Sequence, residues 1–130
     1  MAKPMLIIVA AFALAGAAVA AGYEDRLDSA DYRACKDTTT GIGEAACAAA
    51  ESDRQDATLN AVYKSLMART ASPARREELR DAERQWIRRR DAKCNHAGDD
   101  FEGGTQQNAM IGLCNVSETE ARILWLRGRR

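Results

Sequence analysis

The stretch EAACAAAESDRQDATLNAVYKSLMARTASP, residues 44–73, decides the fold of this chain. It is rich in alanine and has no glycine, and its only proline is its last residue. Leu59, Tyr63 and Leu66 recur along it at the three- and four-residue steps of an α-helix. The pattern predicts a first helix over residues 44–70.

The end of that stretch predicts where a second helix begins. Ser72 can accept a hydrogen bond from the free amides of a new helix, and Pro73 suits its first position, where no backbone hydrogen bond is lost. Helical spacing then continues to about Cys94. Because the break between the two helices is short, we expect them to lie antiparallel as a hairpin.

A third helix is predicted near the C-terminus. Residues 95–104, NHAGDDFEGG, are predicted to form a loop because of their glycines. Ser117 and Glu120 match a reciprocal capping signature, which predicts a helix from Ser117 to about Leu126. The side chains that this helix is expected to bury are Ala121, Leu124 and Trp125. The expected fold is all-α: a small antiparallel helical hairpin plus a third helix, disulfide-stabilised.

The first twenty residues predict export. Lys3 precedes an apolar run over residues 5–19, and the small residues 18–20 fit a signal-peptidase site. The run is shorter than the roughly 20 residues needed to cross a bilayer. We therefore expect residues 1–20 to be a signal peptide cleaved near Ala20, leaving a soluble periplasmic or secreted product.

The rest of the chain is expected to form one domain. A polar lead and loop covers residues 21–43, a helical domain covers residues 44–126, and a basic tail covers residues 127–130. Nineteen basic residues balance nineteen acidic ones, and acids alternate with the arginines of the second helix. Surface ion pairs are therefore expected there rather than a nucleic-acid site.

The chain has four cysteines, Cys35, Cys47, Cys94 and Cys114. An even number of cysteines in an exported chain indicates disulfides. Sequence alone leaves three pairings open. We favour Cys35 with Cys47 and Cys94 with Cys114, because each pair closes a short glycine-containing loop onto a helix end.

Metal, cofactor and catalytic signatures are not recognisable. No two cysteines stand close enough to form half of a zinc site. His96 is the only histidine, and it accompanies no nucleophile motif. We expect no cofactor and no enzymatic activity.

Two charged residues of the predicted hairpin are expected to pair across it. Asp56 lies on the same side of the first helix as Leu59, and Arg90 lies on the side of the second helix that carries Trp86. Half-buried charges are normally paired. The sequence thus predicts a structural ion pair between Asp56 and Arg90, with Asp53 as a competing partner.

Several spaced residue sets carry a resemblance to a known family. They are Cys35 and Cys47, Asp56-x-x-Leu59-Asn60-x-x-Tyr63, Leu79-x-x-Ala82-x-Arg84-x-Trp86-x-x-x-Arg90-Asp91-x-x-Cys94, Gly103-Gly104-Thr105 with Cys114, and Thr119-x-x-Arg122. On these residues the chain resembles the LprI-like lysozyme-inhibitor domain family over about residues 32–126. The resemblance implies a small exported helical domain with cysteine pairs, and it implies lysozyme inhibition. The chain departs from the family pattern at Glu83, where glutamine is usual, and at the glycine-rich residues 41–43.

If the protein inhibits a lysozyme, a loop that blocks the substrate cleft is the expected mechanism. Asp99, Asp100 and Glu102 lie in the predicted loop and are candidate partner contacts, since acids can be steered to the basic rim of a lysozyme. A second acidic face is expected on the first helix at Glu51, Asp53 and Asp56. The alternative is an exported protein-interaction module without effect on lysozyme.

Overall fold

The computed structural model describes residues 27–37 and 41–129, which are all-α and contain no strand. Its elements are α1 (Ala30–Lys36), α2 (Ile42–Arg69), α3 (Pro73–Asn95), a 3₁₀ turn (Asp99–Phe101) and α4 (Thr105–Arg127). The all-α prediction is confirmed, with four helices in this part of the chain instead of three. The expected signal peptide, residues 1–20, lies outside the described residues. No helix within them is both long and apolar enough to cross a membrane.

The connection between α2 and α3 follows the sequence closely. Residues 70–72 join the two helices, and the Ser72 hydroxyl accepts a hydrogen bond from the Arg75 amide at 3.2 Å. Pro73 is the first residue of α3, as expected. At its other end α2 begins two residues earlier than predicted, because Gly41 supplies the cap with a positive φ of 61°.

The prediction for the third helix was wrong in its start. Helix α4 begins at Thr105 and runs straight through Ser117, which is an exposed residue of its interior. Of the side chains expected to be buried, Ala121 is exposed, Leu124 is half-buried and Trp125 is 37% exposed. Five of the seven side chains that α4 buries share one register with Gly112, at alternating steps of three and four: Ala109, Gly112, Val116, Thr119, Ile123 and Leu126. The other two buried side chains are Glu120 and Arg122.

Helix α4 is the central packing element of the bundle. It runs parallel to α2 and packs along it, and it also packs against α3, whereas the α2 and α3 backbones approach each other at few points. Gly112 allows the close contact with α2, because a Cβ there would lie 2.8 Å from the Ala48 Cβ. Farther along, Ile123 and Leu126 pack in a core with Trp86.

Two disulfides join the helices at one end of the bundle. The Cys35–Cys47 bond ties α1 to the start of α2, and the Cys94–Cys114 bond ties the end of α3 to α4. The favoured pairing is thereby confirmed. Within the polar lead and loop expected over residues 21–43, where the sequence allows a partly helical lead, the structure has α1, whose N-cap Ser29 accepts a hydrogen bond from the Tyr32 amide at 3.0 Å.

Candidate functional site

The turn between α3 and α4 presents the acidic residues singled out from the sequence. We call residues 98–104 the acidic turn; its three carboxylates, on Asp99, Asp100 and Glu102, are all exposed. Backbone hydrogen bonds close it: the Phe101 amide donates to the Gly98 carbonyl at 2.9 Å, and the Gly104 amide donates to the Phe101 carbonyl at 3.0 Å. The segment is therefore an ordered turn.

The base of the acidic turn is held by packing and by a covalent bond. Cys94, which precedes it, is fully buried and bonded to Cys114 of α4. A Cβ on Gly98 would lie 2.7 Å from the Gln107 side chain, so only glycine allows this approach. Gly103 has a φ of 77°, and its amide donates to the Gln107 side-chain oxygen at 3.4 Å. These contacts hold the backbone of the acidic turn against the start of α4.

Two exposed apolar side chains lie at the same end of the bundle. Phe101, within the acidic turn, is 43% exposed, and Ile42, at the start of α2, is 73% exposed. The start of α2 lies near the start of α4, as the distance of 3.6 Å between a Cβ placed on Gly41 and the Thr105 hydroxyl shows. Sequence reasoning missed both apolar residues. The available signal was an aromatic residue in a loop of glycines and acids, where it has no core to enter.

His96 also belongs to this end. Its Nδ1 lies 2.9 Å from a carboxylate oxygen of Asp99, and both side chains are exposed. The pairing steadies Asp99 at the start of the turn. Among the described residues no group of histidine, cysteine, aspartate and glutamate could hold a metal ion.

The second acidic face predicted on the first helix is not present as a face. Glu51 is 2% exposed, and its carboxylate accepts hydrogen bonds from the Ser29 amide and hydroxyl, at 3.1 and 2.7 Å. Arg54 and Gln55 donate to it as well. Burial favours the protonated acid, but these hydrogen bonds outweigh it and lower the pKa of Glu51 to about 2. Of the three acids, only Asp53 is exposed and lacks an ion pair within the described residues.

The expected interhelical ion pair is present and connects three helices. Arg90 Nη1 lies 3.0 Å from Asp56 Oδ1 and 3.2 Å from the Thr119 hydroxyl of α4. The Arg90 guanidinium also lies 5.0 Å from the centre of the Trp86 ring. Asp53 does not take the place of Asp56 in this pair.

A second ion pair, which sequence reasoning missed, is more deeply buried. Both Arg122 Nε and Nη2 donate to one carboxylate oxygen of Glu83, at 2.9 and 2.8 Å. Glu83 is 9% exposed and Arg122 is 7% exposed. The pair ties α3 to α4 beside Trp86 and has a structural role.

The sequence was compared with profiles of known protein families. The family profile described as Lysozyme inhibitor LprI matches residues 35–126. The chain belongs to the LprI family. No curated protein and no solved structure gives a significant match.

The LprI match includes both disulfides and the acidic turn. The residues that carry the resemblance most specifically, Trp86 and Cys94, are buried, and Arg90 is held in the interhelical ion pair. They are residues of the fold and do not form an open surface. The disulfides fit an exported protein.

Proposed function

We propose that this protein inhibits a lysozyme by binding across its substrate cleft with the acidic turn. The proposal is based on a turn that is held at its base and exposes three carboxylates, next in sequence to one exposed aromatic side chain, Phe101. Membership of the LprI family supports lysozyme as the class of partner.

In this proposal the carboxylates and the aromatic ring of the acidic turn have different roles in binding. Asp99, Asp100 and Glu102 are suited to meet the basic rim of a lysozyme cleft, where opposite charges speed association and set orientation. Phe101 supplies the apolar anchor that central interface positions favour. Because hydrogen bonds and a disulfide already order the turn, little conformational entropy is lost when it binds.

The proposal is tested by titrating the oxidised protein against several classes of lysozyme while cell-wall hydrolysis is followed. We expect at least one lysozyme to lose activity in proportion to the inhibitor added, and added salt to weaken the effect. If a lysozyme bound the protein while keeping full activity, the result would favour an interaction module. If no lysozyme bound, the proposal would be wrong.

The carboxylates can be tested against a matched set of acids. The triple variant Asp99→Asn, Asp100→Asn, Glu102→Gln should weaken inhibition roughly tenfold at low salt, because it removes the steering charges. The control variant Glu77→Gln, Glu78→Gln, Asp81→Asn removes the same charge from an exposed face of α3. Equal inhibition by the two variants would exclude the acidic turn as the contact.

The role of Phe101 can be tested against another exposed apolar residue. Phe101→Ser should weaken inhibition by about tenfold or more, since an anchor residue at an interface contributes over 1 kcal/mol. Ile87, which is 39% exposed on α3, provides the comparison, and Ile87→Ser should leave inhibition unchanged. If the two variants inhibited equally, Phe101 would not be an anchor.

A further inference from the structure

The end of the bundle opposite the acidic turn contains a cleft lined by arginine. It has a volume of about 230 Å³ and lies between the end of α2, the start of α3 and the end of α4. Arg69, Arg75 and Arg129 line it, with Leu66 and Leu79, and none of its lining residues is acidic. We call it the arginine cleft.

The arginines here differ from those along the rest of α3. There Arg80 pairs with Glu77, and Arg84 pairs with Asp81. At the cleft Arg75 pairs with Glu78, 2.7 Å away, but Arg69 and Arg129 have no carboxylate partner within residues 27–37 and 41–129. Arg69 donates instead to the Ser65 hydroxyl at 3.3 Å and the Arg129 carbonyl at 3.1 Å.

More positive charge surrounds the cleft. Arg127 and Arg69 line a neighbouring depression, and the Arg76 side chain donates to the Thr70 carbonyl at 3.3 Å. The C-terminal ends of α2 and α4 favour Arg69 and Arg127. In contrast, Arg75 and Arg76 occupy the first turn of α3, which has no acidic residue and where the helix dipole disfavours positive charge. The helix dipoles therefore do not account for the positions of Arg75 and Arg76 in this cluster.

We propose that the arginine cleft binds the anionic phosphate group of a ligand. Guanidinium groups bind phosphate oxygens through paired, charge-assisted hydrogen bonds. Within the described residues no carboxylate pairs with Arg69 or Arg129, so both guanidinium groups can bind a phosphate. The phosphate can belong to a soluble anion or to a lipid headgroup. Helix α3, with 23 residues, separates the cleft from the acidic turn by about 35 Å. Both ends can thus be occupied at once, and a protein held by its basic end would direct its acidic turn outward.

The test compares two double variants with the same change of charge. Arg69→Gln/Arg129→Gln removes two charges from the cleft, and Arg88→Gln/Arg89→Gln removes two from an exposed part of α3 away from the cleft. The probes are inorganic phosphate, followed by NMR of the arginine side chains, and vesicles of phosphatidylglycerol with phosphatidylcholine, compared with phosphatidylcholine alone. Circular dichroism checks that each variant is folded.

We expect phosphate to shift the NMR signals of the Arg69, Arg75 and Arg129 side chains in the unmodified protein. This measurement does not depend on whether a variant folds. If the ligand is a lipid headgroup, the cleft variant should bind anionic vesicles roughly thirtyfold more weakly than the unmodified protein does. The control variant should show a much smaller loss of vesicle affinity. Phosphate shifts without vesicle binding would identify a soluble phosphate ligand. The proposal is overturned if phosphate shifts none of the three arginines and the two variants bind vesicles alike. Lysozyme inhibition should be equal in both variants, so this test is independent of the proposed function.

Discussion

Glu51 makes the stability of this protein depend on pH. Its pKa is lowered from 4.5 to about 2 in the folded state, since the hydrogen bonds from Arg54, Ser29 and Gln55 outweigh its burial. Because the folded pKa lies below the unfolded one, the stabilisation is fully present above about pH 4.5 and is lost as the pH falls through about 2. The shift corresponds to roughly 3 kcal/mol.

We expect Glu51→Gln to lower the free energy of unfolding by about 2–3 kcal/mol at neutral pH, because it removes the buried, charged acceptor of several hydrogen bonds. The variant should also lose less stability than the unmodified protein between pH 4.5 and about 2. Urea unfolding across that range measures both effects. Glu77→Gln, at an exposed acid, is the control and should change little. A flat acid profile for the unmodified protein would contradict this account.

The buried Glu83–Arg122 pair predicts a marked difference between single and double substitution. Arg122→Met leaves the Glu83 carboxylate buried without its partner and should cost about 3–5 kcal/mol. Glu83→Leu/Arg122→Met, which removes both charges, should recover most of that loss. Chemical unfolding of the three proteins measures the effect. A single variant as stable as the unmodified protein would show that the pair is not buried as described.

The contact between α2 and α4 predicts opposite results for two glycines. A Cβ on Gly112 would meet the Ala48 Cβ at 2.8 Å, so Gly112→Ala should destabilise the protein by about 1–3 kcal/mol. The same substitution at Gly128, where the nearest atom would be 3.6 Å away, should be close to neutral. Thermal unfolding compares the two variants. If Gly112→Ala were neutral, the helices would not pack this closely.

The two disulfides are expected to differ in function. Removing either with paired serines should cost about 2–4 kcal/mol. Only Cys94→Ser/Cys114→Ser should also weaken inhibition under conditions where the protein stays folded, since that bond holds the base of the acidic turn. Cys35→Ser/Cys47→Ser is the matched control. Inhibition assays beside circular dichroism separate the two effects, and equal inhibition by both variants would contradict the role of the Cys94–Cys114 bond.

Helices with local boundary signals could be predicted from the sequence, whereas the start of α4 could not. Ser72 and Pro73 mark the start of α3 by their own chemistry. In α4 the buried register includes Gly112 and Thr119, which do not appear as apolar residues in a periodicity count. The Ser117 capping signature therefore seemed to start a helix that had begun at Thr105.

The candidate site could be predicted only in part. The exposure of three acids in a loop of glycines follows from composition. Glu51 could not be distinguished from a surface acid, because its burial depends on hydrogen bonds from Ser29, which only the tertiary fold brings next to it. The place of Ile42 beside the acidic end likewise depends on the contact between the starts of α2 and α4.

At the scale of the whole molecule, the chain has no net charge but has two ends of opposite character. The acidic turn lies at the disulfide-bonded end, and the arginine cleft lies at the other. We expect the acidic end to provide the contact with lysozyme and the basic end to stay outside it.

Hydrogen–deuterium exchange of the protein with and without an excess of lysozyme tests this most directly. We expect lysozyme to slow exchange at residues 98–104 and around Ile42, and to leave residues 70–72 unchanged. Slowed exchange confined to other parts of the chain, or no change at any residue, would contradict it.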